Sequence, residues 1–268
     1  MKILSLNTHS YLEKESEKKL VYIAKTIREI SPDIIAFQEI NQNKNALALS
    51  HCPDVVFSEH GENLKSDNFG LRCAILLKNM GYKLVWLGIK QGYEKYDEGV
   101  CFLSRLPIES IDFFRISKTD SYTDWRKRMV LGIKIGCNWL YNVHMGRWDD
   151  EQDPFYYQWQ ILNNKLKQQG NVWIIGDFNV PSDIRNEGYD HIIHSGWYDA
   201  FELAAAKDEG FTVQSKIDGW EDKEDSFTNK RIDYFFTNRK EDVKSLYTIF
   251  NGKNKDVISD HFGVIMEI

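Results

Sequence analysis

Ile174-Ile175-Gly176-Asp177-Phe178-Asn179 decides the fold, because it reads as a buried strand that ends on a glycine turn and two oxygen-bearing side chains. Glycine lets the backbone turn tightly, and Asp and Asn two residues apart face the same way. The same design recurs along the chain. Ile3-Leu4-Ser5-Leu6-Asn7 ends on an amide and Ile34-Ile35-Ala36-Phe37-Gln38-Glu39 on a carboxylate, while Ser259-Asp260-His261 pairs a carboxylate with an imidazole. Asn142-Val143-His144 closes another strand and Arg231-Ile232-Asp233-Tyr234 opens one. Rigid strand ends deliver side chains to a shared rim, the place where catalytic groups collect in layered α/β proteins.

The intervening pattern predicts a strand over 2–7, an amphipathic helix over 15–30 with Leu20, Ile23, Ala24, Ile27 and Ile30 on one face, and a strand over 34–39. Further strands are expected over 72–78, 83–87, 100–105, 108–115, 129–135, 139–144, 172–176, 231–237, 243–250 and 262–268, with a helix over 153–168 and a helical turn carrying His191 and His194. Neighbouring strands with helices at intervals imply two packed sheets covered by helices rather than a simple βα alternation. The 268 residues hold five prolines and no repeat, low-complexity tract or linker, which favours a single domain over 1–268.

Hydrophobic content of 42% and charged content of 28% are ordinary for a soluble globular chain. The apolar start is too short for a signal peptide and is broken by Asn7, and no run approaches the roughly 18 apolar residues of a spanning helix, so a cytoplasmic protein is expected. Cys52, Cys73, Cys101 and Cys137 lack CxxC spacing and read as reduced core residues. A net charge of −6, with Asp149-Asp150-Glu151 and five carboxylates over 218–225, weighs against a duplex-DNA ligand and is less troublesome for a small phosphorylated one.

Taken together, LNTHS, QEI, NVHMG, GDFN, RIDY and SDH, in order from Asn7 to His261, resemble the endonuclease/exonuclease/phosphatase family. That family includes pancreatic deoxyribonuclease, apurinic endonucleases, neutral sphingomyelinases and inositol polyphosphate 5-phosphatases. The resemblance implies an α/β four-layer sandwich, two mostly antiparallel sheets flanked by helices, with the site at one rim. It implies a divalent ion, usually Mg²⁺ with Mn²⁺ as the alternative, held by Glu39 with Asn7 and Asp260 close by. Asp177 and Asn179 would align the attacking water; His261, oriented by Asp233, and His144 would bind or protonate the phosphate. The general base is either Asp177 or a His–Asp pair. Arg128, with Arg126 as competitor, matches a family arginine near the phosphate, and Glu98 a glutamate that orients the site histidine.

Three loop strings, 91–99, 65–69 and Asp124-Trp125-Arg126, look like a bacterial branch that contains maltose 6'-phosphate phosphatase. Trp125, Trp148 and Trp220 fall in expected loops beside the site strands, where flat rings suit a sugar face. The expectation is a phosphatase of a small phosphorylated sugar; the alternative is a nuclease, which would carry a basic face and bind with strong salt dependence. His9, His51 and His60 read as ordinary surface residues, and no carboxylate pattern supports a zinc site at His191 and His194.

Overall fold

The computed structural model describes residues 1–50, 52, 55–59, 63–214 and 229–268. Trp220, His51, His60 and the acid-rich stretch 218–225 lie outside the described residues. The first half of the chain forms β1 (Lys2–Asn7), α1 (Ser16–Ile30), β2 (Ile34–Asn43), β3 (Val55–Glu59), α2 (Phe69–Leu76), β4 (Lys83–Gly92), β5 (Tyr96–Ser104), β6 (Ser110–Arg115) and β7 (Met129–Ile135). It continues through β8 (Asn138–His144), α3 (Phe155–Leu166), β9 (Asn171–Asp177), α4 (Gly188–His194), β10 (Tyr198–Asp199), α5 (Ala200–Leu203), β11 (Ala206–Lys207), β12 (Asp233–Thr237), β13 (Ser245–Ile249) and β14 (Gly263–Glu267).

The strands make two sheets, one ordered β11-β13-β14-β1-β2-β5-β4-β3 and the other β10-β12-β9-β8-β7-β6. Most pairs are antiparallel, but β1–β2, β3–β4, β8–β9 and β11–β13 run parallel. Successive residues of the inner strands face different layers. Ile3, Ile34 and Ala36 pack between the sheets with Phe102, Leu131, Trp173, Ile175 and Phe235. Leu4, Leu6, Ile35 and Phe37 pack outward on Leu20, Ile23 and Ile27 of α1. On the far side Val143, Val172 and Ile174 meet Phe155, Trp159 and Leu162 of α3. Burial on both faces is why these strands read as continuous apolar runs instead of alternating ones. The result is the expected helix–sheet–sheet–helix sandwich.

Two expectations need correction. Residues 72–78 are not a strand: Phe69–Leu76 is a helix, started by Asn68, whose side chain accepts a hydrogen bond of 3.0 Å from the Leu71 N–H. Only Arg72 interrupts its apolar run, and the exposed Ile75 is apolar too, so eight residues show no clear helical period. The stretch 91–99 is not a loop but the tip of the β4–β5 hairpin, with Tyr93 and Glu94 at positive φ. Cys73 and Cys101 are core residues, Cys52 is partly buried and Cys137 is exposed; all four are free thiols. Among the described residues no helix is long and apolar enough to cross a membrane.

Candidate active site

Asn7 ends β1, His144 ends β8, Asp177 ends β9 and Asp233 opens the antiparallel β12, so all four reach one rim. Register brings them closer still: Asp177 stands opposite both Asp233 and His144. Asp260 and His261 precede β14, which runs antiparallel to β1 and so arrives at the same rim. Glu39 gets there differently. The β2–β5 register shifts between Phe37 and Ile40, and Glu39 takes a left-handed φ of 52° within that irregularity. Such a bulge re-aims a side chain that a regular strand would bury.

Asn7 is fully buried, and its Nδ2 donates to Glu39 Oε1 at 2.8 Å and to Asp177 Oδ2 at 3.0 Å. Its Oδ1 accepts from the His9 N–H at 3.2 Å. The amide therefore fixes the two carboxylates relative to one another. Asp177 Oδ1 also accepts from the Asn179 N–H at 2.9 Å, while the Asn179 amide is anchored on the Met145 carbonyl at 3.0 Å. His261 Nδ1 lies 3.0 Å from Asp233 Oδ2, and its Nε2 lies 3.8 Å from Asp177 Oδ2. His144 Nε2 sits 3.7 Å from Asp177 and 3.8 Å from Glu39. Ser259 Oγ ties the Asp260 carboxylate at 3.1 Å to the Asn7 carbonyl at 2.8 Å.

Electrostatics separate the groups. Burial, then the nearby Glu98 and Asp260 charges, push Glu39 up to about 7. Burial also carries Asp177 to about 7, with Asp233 adding to the rise and His261 opposing it. Burial disfavours a charged His261, but Asp233 and Asp177 outweigh it and hold the imidazolium well above its ordinary range. His144 goes the other way: burial and the Arg128 and Lys90 charges keep it neutral. Glu39, His144 and Asp177 offer ligand atoms within 4.8 Å of one another, as do Asp177, Asp233 and His261. Crowded, desolvated carboxylates of this kind suit a hard divalent cation, whose charge would offset theirs.

The sequence model of the family described as "Endonuclease/Exonuclease/phosphatase family" matches residues 4–261, nearly the whole chain. The protein belongs to the endonuclease/exonuclease/phosphatase family. A solved family protein from Leptotrichia buccalis C-1013-b is 30% identical with a TM-score of 0.85, covering 100% of this chain and 99% of its own. A mannosyl-6-phosphatase from Bacteroides thetaiotaomicron has a TM-score of 0.66 at 18% identity, with 100% and 98% coverage. A 3' phosphatase from Neisseria bound to a product DNA hairpin has a TM-score of 0.63 at 19% identity, with 100% and 99% coverage. At those identities the last two show a shared fold alone. No curated protein matches the chain.

In this family member the polar rim opens into a cleft of about 490 Å³ lined by Glu39, Asp177, Asn179, Asp260, His144 and His261, and also by Glu98 and Arg128. Three residues that the sequence nominated depart from the expectation. Glu98 faces Lys90, 3.2 Å away, and not a site histidine. Arg126 is held by Asp150 at 3.2 Å and Asp124 at 3.4 Å and does not line the cleft. Trp148 packs on Phe155 and His191, outside it. Trp125 does line the cleft, as do Tyr93, Lys90, Arg147 and His9, which the sequence did not single out. His9 is no ordinary surface residue: its Nδ1 meets Glu13 at 2.9 Å and Asp260 at 3.7 Å. Only its place two residues after Asn7 could have flagged it.

Proposed function

We propose that this phosphoester hydrolase is a Mg²⁺-dependent phosphatase of phosphorylated sugars, with a disaccharide 6'-phosphate such as maltose 6'-phosphate as the leading substrate. The observation that carries the reading is the composition of the cleft. Its floor holds the carboxylate–histidine cluster, one wall carries the buried Arg128, and Trp125 (49% exposed) and Tyr93 (58% exposed) stand at its margin. Flat aromatic faces beside a phosphate-binding floor suit a sugar ring carrying one phosphate. The net charge of −6 adds to this by disfavouring a nucleic-acid duplex.

Glu39 and Asp260 would hold the ion, with Asn7 positioning Glu39 through its amide. When bound there, Mg²⁺, or Mn²⁺ in its place, would supply Lewis-acid polarisation of a phosphoryl oxygen and offset developing negative charge. Asp177 is the general base: its pKa near 7 is matched to accepting a proton at neutral pH, and Asn7 and Asn179 fix its orientation. The water oxygen bonds to phosphorus as Asp177 takes the proton, the ester P–O bond breaks, and the departing sugar oxygen is reprotonated from solvent. His261, kept as an imidazolium by Asp233, donates to a phosphate oxygen, and neutral His144 donates from the other side.

Phosphate release with Mg²⁺ from a panel including maltose 6'-phosphate and mannose 6-phosphate, run beside nicking of supercoiled plasmid, tests the reading. Asp177→Ala controls for contamination in both assays. Rapid release from one phosphosugar with intact plasmid is the expected result. Plasmid cleavage that disappears in Asp177→Ala, with inert sugars, would make the chain a nuclease. The DNA-bound fold relative is the observation that keeps this second reading in play.

A further inference from the structure

We propose that Lys90, resting on the phosphatase reading above, gives the cleft its preference for a terminal phosphate by joining Arg128 in a two-cation clamp for a phosphomonoester dianion. The β4–β5 register shifts between Gly88 and Lys90, which sets Lys90 opposite Glu98 and turns it into the cleft. Lys90 Nζ donates to Glu98 Oε1 at 3.2 Å and to the Trp125 carbonyl at 3.0 Å. An ammonium has three donors, so one is left for the cleft. Arg128 Nη1 donates to the same Trp125 carbonyl at 2.7 Å. Two cations thus converge on one backbone oxygen.

Protein balances their charge only in part, through Glu98 on Lys90. Arg128 is 6% exposed, and among the described residues no carboxylate lies within ion-pairing distance of it. Its Nε is buried with no acceptor at all. With Glu98 matched to Lys90, one positive charge and one orphaned N–H remain beside the cleft, and a buried unpaired charge is costly unless a ligand supplies its partner. A phosphomonoester carries about −1.5 to −2 charge at neutral pH. A diester carries only one negative charge and so offsets less of the pair's charge than a monoester dianion does. Trp125 links the clamp to the cleft margin, since its carbonyl holds both cations and the half-exposed residue lines the cleft.

The competing explanation is that Lys90 merely neutralises Glu98. The test measures kcat/KM for p-nitrophenyl phosphate and for bis(p-nitrophenyl) phosphate, with inhibition by inorganic phosphate, at saturating Mg²⁺. Lys90→Gln should lower the monoester value by about 10- to 100-fold and weaken phosphate inhibition in step, the size of a lost charge-assisted hydrogen bond. The diester value should stay within about threefold. The double variant Lys90→Gln with Glu98→Gln removes both charges and keeps the fold readable; it should show the same monoester loss. Equal losses on both esters, or recovery in the double variant, would overturn the clamp and leave the phosphatase reading standing. A wild-type enzyme that prefers the diester would overturn both.

Discussion

Asp177 shows how much of the site is decided by single side-chain contacts. It is 1% exposed, yet it accepts from Asn7 and from the Asn179 backbone and lies 3.7 and 3.8 Å from two histidines. Glu39, the proposed metal ligand, is its counterpart, desolvated and crowded by Glu98 and Asp260. Glu39→Gln keeps the shape and the Asn7 contact but removes the charge. We expect Mg²⁺ or Mn²⁺ affinity to fall at least about 10-fold by calorimetry, with activity falling alongside. Unchanged affinity would remove Glu39 from the metal site. His9 offers a pH test. Burial opposes its charging, but Glu13, Asp260 and Glu39 raise its pKa to about 9 from 6.5, so its contribution to stability is complete below about pH 6.5 and lost as pH rises through 9. Glu13→Gln should therefore cost more stability in urea unfolding at about pH 6 than at about pH 9.5. A gap that does not narrow would mean the pair contributes nothing. At this scale the strand-end acids, amides and imidazoles were legible, because a polar group after a continuous apolar run is unusual. Lys90, His9 and Arg147 were not, since each sits in an ordinary local pattern and matters only through what lies across the cleft.

Elements set the aim of those side chains. Gly176 has φ of 135°, and a Cβ there would stand 2.1 Å from the Val143 carbonyl on β8. Gly176→Ala should destabilise the fold by about 3 kcal/mol, combining backbone strain with a collision that a carbonyl cannot avoid. Chemical denaturation would check it, and a loss under about 1 kcal/mol would show that the strand end can yield. The β2 irregularity at Glu39 is the opposite case, a non-glycine residue held at positive φ because its side chain is needed at the rim. Nothing in Phe37-Gln38-Glu39-Ile40 announces a bulge, which depends on how β5 pairs beside it. The helix Phe69–Leu76 hides in the sequence for a related reason: a short segment that is apolar on its exposed as well as its buried side has no visible period, although Asn68 is a capping signal in plain view.

Across the whole molecule the two sheets are tied by a polar link behind the site as well as by the Asn7–Asp177 hydrogen bond at the rim. Gln38 Nε2 donates to Asn142 Oδ1 at 2.7 Å, and Asn142 Nδ2 donates to the Phe37 and Cys101 carbonyls at 3.0 and 2.9 Å. This link sits just behind Glu39 and His144, so it holds the two halves of the site at a set separation. From the amino-acid order alone come the layered α/β class, the rim on which Asn7, Glu39, His144, Asp177, Asp233 and His261 gather, and the family, because hydrophobic runs and the groups that end them are local properties. Tertiary structure decided the rest: that Glu98 faces Lys90, that Arg126 and Trp148 turn away, and that Lys90 and Arg128 meet at one carbonyl. Those outcomes depend on strand register and on charges brought together from distant segments, and neither is a property of neighbouring residues.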